Sequence, residues 1–157
     1  MPQPHIIRLR GPWELQPLAR WQVADDGTLA EIADPLPPGG RLAMPSDWSK
    51  LLGPDFHGRV RHLRRFARPT GLDSGERVWL VCDGAADAAT IALNGAPLGA
   101  IPGTNQPTRF DVTERLLPRN ELVIDVDFPS AKTAQQTPTT ETNCGGLTGE
   151  VQLEIFG

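Results

Sequence analysis

The apolar positions of this chain recur with a period of two rather than 3.6, in short runs closed by Gly, Pro, Asn or Asp. Leu122, Ile124, Val126 and Phe128 alternate with Val123, Asp125 and Asp127, the pattern of a strand with one face buried. Val151, Leu153 and Ile155 alternate in the same way with the outward Gln152 and Glu154. Val78 to Cys82 is apolar on both parities: Val78, Leu80 and Cys82 face one way and Trp79 and Val81 the other, which predicts a central strand. Asn94-Gly95 predicts a two-residue hairpin turn, because both positions of a type I′ turn need positive φ and Asn and Gly supply it at least cost. Such a loop sets Leu93 opposite Ala96 and Ile91 opposite Leu98, with four apolar side chains on one face of the ribbon.

The remaining segments use the same grammar. Ile6 to Leu9 and Trp13 to Val23 predict opening strands, broken at Gly11-Pro12 and at Pro17, with Asp25-Asp26-Gly27 as a turn. Pro35, Pro37 and Pro38 donate no backbone N–H, so residues 33–40 are expected to cross the sandwich edge as a loop. Arg41 to Met44 predicts a short strand and Gly58 to Ala67 a long one. Thr113 predicts the N-cap of one helical turn over Glu114 to Leu117. Residues 129–143 are mostly Thr, Gln, Ala, Pro and Ser, too poor in apolar surface to offset their ordering entropy, and are expected to form a mobile loop. With no amphipathic helix anywhere, the pattern predicts an all-β chain: a two-sheet antiparallel β-sandwich of jelly-roll type, one domain over residues 1–157.

Composition narrows the partners. The chain has 157 residues, enough to bury a core without disulfides or metals. Its formal charge of −4 and sequence pI near 5.3 argue against a nucleic-acid partner, which demands a net basic face. No segment has the length and apolarity of a secretory leader or membrane span, so the chain as written is expected to be soluble and cytoplasmic; removal of a leader would reverse that. Cys82 lies among apolar neighbours and Cys144 in a Gly-rich turn, which suggests a buried thiol and a loop thiol, with a disulfide as the alternative. Three scattered histidines form no metal-ligand pattern, and no cofactor is expected.

Several of these pieces follow one another in a familiar order. Pro45, Trp48, Gly58, Phe66 and Pro69, then the Asn94-Gly95 hairpin, Phe110-Asp111-Val112-Thr113, Gly145-Gly146-Leu147 and Val151-Gln152-Leu153 together resemble the sugar-binding domain of glycoside hydrolase family 2. That domain is the galactose-binding-like jelly roll preceding the catalytic barrel in β-galactosidases and β-glucuronidases. The likeness runs from Met44 to Ile155. It implies a non-catalytic carbohydrate-binding module, since in that family both catalytic carboxylates come from the barrel, and this chain ends before one could begin. Asp83 and Asp87 fall where an Asp caps a turn rather than in a catalytic pair. The alternative is an interaction module without a ligand of its own, docking on a glycoside hydrolase or another subunit. Some sandwiches of this superfamily hold a structural Ca²⁺ through carbonyls, which leave no trace in composition.

The expected sugar site is the loop end bearing His57, Asn105 and Asn143, whose amides and imidazole suit hydroxyl groups. Trp48 either stacks on a pyranose or covers the sandwich end, the second being the more ordinary use of an indole in a small core. Arg61 offers a planar fork to an acidic sugar, or else belongs to a solvated strand whose charges meet nearby Asp and Glu. Arg61-His62 stands where the resembled family has an aromatic pair, so an inherited aromatic platform is not expected at that place.

Overall fold

The computed structural model describes residues 4–26, 28–33, 35–53, 56–84, 89–101, 107–128, 146–147 and 149–157. Strands β1 (His5–Arg8), β2 (Trp13–Val23), β3 (Leu29–Glu31), β4 (Gly40–Leu42) and β5 (Ser46–Asp47) lead into one helical turn, α1 (Ser49–Leu52). Then come β6 (Gly58–Ala67), β7 (Arg77–Cys82), β8 (Ala89–Leu93), β9 (Ala96–Ile101), β10 (Thr108–Asp111), a 3₁₀ turn (Thr113–Arg115), β11 (Arg119–Phe128), β12 (Gly146–Leu147) and β13 (Val151–Phe156). The large sheet has the order β3-β2-β6-β11-β8-β9, with β4 also on β2; the small sheet has the order β1-β13-β7-β10; β5 and β12 pair as a short ribbon. All described pairings are antiparallel. This is the all-β sandwich that the alternation predicts. Val60, Ile91, Leu93, Leu122, Ile124 and Val126 of the large sheet and Val78, Leu80, Cys82, Val151 and Leu153 of the small one belong to a single buried cluster.

β6 and β11 are the backbone of the large sheet. Their register runs without a slip from Gly58↔Phe128 to Ala67↔Arg119, which puts even-numbered residues inward and odd-numbered ones outward on both strands. Gly58 is required by the close approach of β2: a Cβ there would stand 2.0 Å from the Ala19 carbonyl oxygen. As expected, β7 is central in its sheet, with Val81 only 2% exposed on the outer face.

Three local expectations need correcting. Pro17 does not break β2; the register shifts between Pro17 and Ala19, so a bulge at Leu18 absorbs the proline that cannot donate to the ladder. In the hairpin Leu93 does face Ala96, but a second bulge puts Ile91 opposite Gly99 instead of Leu98, and Ala96 is exposed. Phe110 packs 3.1 Å from where a Gly99 Cβ would lie, so the bulge makes room for a ring. Thr113 lies inside the 3₁₀ turn rather than capping it; its N–H donates to Asp111 Oδ1 (3.1 Å) and its hydroxyl to the same oxygen (2.7 Å). The predicted mobile loop at 129–143 lies outside the described residues.

An amide clamp closes the hairpin end. Asn94 takes the left-handed conformation (φ 53°) that its turn demands. Its Oδ1 accepts from the Glu121 N–H (2.8 Å) and its Nδ2 donates to Asn120 Oδ1 (3.0 Å). Asn120, only 3% exposed, also accepts from the Leu117 N–H and donates to the Leu117 carbonyl, both at 2.9 Å. Asn120→Ala leaves this part-buried backbone pair and the Asn94 amide without their partner, and we expect a loss of about 1–2 kcal/mol in urea denaturation; a loss below about 0.5 kcal/mol would mean the clamp does not hold this end.

Candidate functional site

The ladder between β6 and β11 dictates what the outer face of the large sheet can offer. Outward residues meet directly across the ladder: Arg59↔Asp127, Arg61↔Asp125, Leu63↔Val123 and Arg65↔Glu121. Arg59 grips Asp127 through Nε (2.7 Å) and Nη2 (3.1 Å). Arg61 grips Asp125 through the same two atoms, both at 3.0 Å. These hydrogen bonds, more than the accompanying charge attraction, hold both guanidiniums above the ordinary arginine range. Exposed pairs of this kind stabilise a fold by only about 0–1 kcal/mol each. Their larger effect is geometric, since two planar bidentate groups become fixed side by side.

They form the centre of a groove of about 570 Å³ that crosses the strands. Leu18, the bulged residue of β2, borders it on one side, and Thr90 and Ala100 of β8 and β9 on the other. The groove is open, electroneutral along its charged centre, and rich in unused lone pairs and N–H groups. Such a surface can hydrogen-bond vicinal hydroxyls through the free edges of its forks. It has no net charge with which to select an anion, so the structure gives no support to Arg61 as a site for an acidic sugar.

Of the remaining sequence candidates, Trp48 and His57 are not among the residues that line this groove. Trp48 sits at the entry to α1, where Asp47 accepts from the Ser49 N–H (2.9 Å) and from the Ser49 hydroxyl. The hydroxyl bond is the chief reason the Asp47 carboxyl is held below its ordinary range. That turn drives the indole inward: Trp48 is 0% exposed, its Nε1 donates to the Phe56 carbonyl (3.2 Å), and its ring stands edge-on to Phe56 (5.8 Å) and Phe128 (6.3 Å). No face is left for a sugar, because both sides of the ring are already packed, and the stacking role is corrected to a core role. His57 is half-buried, with its ring 5.9 Å from Phe128 and its carbonyl accepting from the Trp21 N–H (3.0 Å). Asn105 and Asn143 lie outside the described residues.

Sequence reasoning did not single out Arg59, Asp125 and Asp127. Their parity was readable, but only the register shows that each acid meets one particular arginine. His62, next to Arg61, points the other way and is fully buried. Its Nδ1 lies 3.2 Å from the Val60 carbonyl, its Nε2 has no partner, and burial lowers its pKa to about 4. Cys82 is a free, buried thiol pushed up to about 12 by burial, which makes it inert near neutrality. Among the described residues no group of His, Cys, Asp or Glu could hold a metal ion, and no helix is long and apolar enough to cross a membrane.

The fold recurs as one part of much longer enzymes. An FMN-binding β-glucuronidase from Faecalibacterium prausnitzii L2-6 superposes with a TM-score of 0.76 at 23% identity, over 98% of this chain and 22% of that one. A β-glucuronidase of Bifidobacterium dentium, complexed with coumarin-3-O-glucuronide, gives 0.70 at 24% identity over 98% and 30%. A family 2 β-galacturonidase from Eisenbergiella tayi bound to galacturonate gives 0.70 at 17% identity over 98% and 25%. The chain therefore spans less than a third of the length of these structures, and at such identities they establish the fold alone. No curated protein matches its sequence. The family model for the glycosyl hydrolase 2 galactose-binding domain-like group matches residues 61–153, more than half of the chain, and with the sandwich and its register in place the chain belongs to that family.

Proposed function

We propose that this domain is a non-catalytic carbohydrate-binding module whose sugar site is the groove over Arg59, Arg61, Asp125 and Asp127. The observation that carries the reading is the pair of side-by-side bidentate forks, fixed by the β6–β11 register, in an open groove with no net charge. A neutral glycan fits this better than a uronate, because an added carboxylate would have to displace an aspartate from its arginine. The absence of an exposed ring in the groove lining points to weak binding. The non-catalytic reading draws support from the same pairs. Glycoside hydrolysis needs one carboxyl free to protonate the leaving oxygen, and here both oxygens of each groove aspartate lie within reach of a guanidinium.

Titration of the labelled domain with neutral and acidic oligosaccharides, read by amide NMR, tests this. Neutral glycans at millimolar concentration are expected to shift Arg61, Thr90 and Asp125, and Asp125→Ala to remove the response. Silence of these amides toward every sugar, or a preference for the acidic ones, would defeat the reading.

A further inference from the structure

The opposite end of the sandwich carries a second surface, unrelated to the groove. Arg65, Arg68, Arg115 and Arg119 come from three separate segments, yet the backbone gathers them around the amide clamp. The Arg68 N–H donates to the Pro118 carbonyl (3.1 Å), Arg119 stands opposite Ala67, Asn94 Nδ2 donates to the Arg115 carbonyl (3.4 Å), and Arg65 stands opposite Glu121. Arg65 is loosely paired with Glu14 (3.6 Å) and Glu121 (3.5 Å). Arg68, Arg115 and Arg119 are exposed and make no ion pair among the described residues. A chain of formal charge −4 thus gathers four arginines at this end, where Glu121 is the one carboxylate among the described lining residues and Glu14 pairs with Arg65 from outside it.

Arg65 and Arg119 line an open groove of about 680 Å³ together with Phe66, Ala67 and Pro118, and Arg68 and Arg115 stand next to it along the chain and through the clamp. Leu117, beside Pro118 in the chain, is 51% exposed, the largest exposure among the big hydrophobic residues described. An apolar centre ringed by arginine is the anatomy of a protein interface. The Asn94 and Asn120 amides that line the groove are spent on each other and on the backbone, so little remains to read sugar hydroxyls.

We propose that this end docks an acidic segment of a partner protein, one that places an apolar side chain on Leu117, Phe66 and Pro118 and carboxylates on Arg68, Arg115 and Arg119. Guanidinium forks match carboxylates in pairs, and the local excess of positive charge steers such a segment onto the surface. The proposal does not depend on the sugar reading, since no residue is shared between the two grooves.

The test is an amide NMR titration with a synthetic peptide alternating Glu and Leu, its Lys–Leu counterpart and polygalacturonate. The acidic peptide is expected to shift Ala67, Leu117 and Arg119 and leave Arg61 and Thr90 in place. Arg115→Glu with Arg119→Glu should weaken it at least about tenfold, and so should raising salt well above physiological strength. Leu117→Asp should weaken it independently. The mapping on the unmodified domain stands even if a variant fails to fold. No shift at these amides, an equal response to the basic peptide, or a stronger response to polygalacturonate would overturn the proposal, the last by making this end a glycan site.

Discussion

Trp48→Ala is expected to cost about 3–5 kcal/mol of unfolding free energy, measured as a lowered urea midpoint. The indole is wholly enclosed, so truncation removes its contacts with Phe56 and Phe128 and opens a hole that the neighbouring β-strands cannot close. It also leaves the Phe56 carbonyl without its donor. Trp48→Phe should recover part of the loss, restoring the ring but not the hydrogen bond. If Trp48→Ala instead weakened sugar binding while leaving the denaturation curve unchanged, the indole would have to be a ligand platform that opens in solution.

His62 sets the second large effect, and its sign follows from where the proton binds. In the unfolded chain an imidazole titrates near 6.5, while in the fold burial holds the His62 pKa to about 4. The unfolded state therefore takes up the proton first. This group's contribution is fully present above about pH 6.5 and is lost as pH falls toward 4, reaching about 3 kcal/mol. Nε2 is buried without a hydrogen-bond partner, and the cost of burying an imidazolium outweighs the help that the Val60 and Ile124 carbonyls and the Asp125 charge give it. Comparing denaturation at pH 7 and pH 4.5, the native chain should lose about 2–3 kcal/mol more than His62→Leu does. Equal losses in the two proteins would show that the ring is hydrated, or charged, inside the fold.

These two residues also show how far the sequence could be read. Period-two alternation located β11 and β13, a run apolar on both parities located β7, and Asn94-Gly95 located the hairpin, because each depends on local sequence. A long strand over Gly58 to Ala67 was legible, yet the sequence could not say that His62 lies at the centre of the sandwich, since depth depends on what the other sheet places above it. That the charges of Arg61's strand could meet nearby acids was legible, but only the register names Asp125, sixty-four positions away, as the partner. The bulges at Leu18 and Leu98 were invisible because a slip in register is decided by the partner strand rather than the strand's own composition. The arginines of the hairpin end were legible one at a time, but their convergence depends on three turns folding together.

The slip within β9 matters beyond the hairpin. Among the described residues β9 is an edge strand of the large sheet, and it carries Pro97, which has no N–H, beside the bulged Leu98. An incoming chain would find gaps where it needs an unbroken row of donors and acceptors. Lateral growth into fibrils is thereby discouraged along this border.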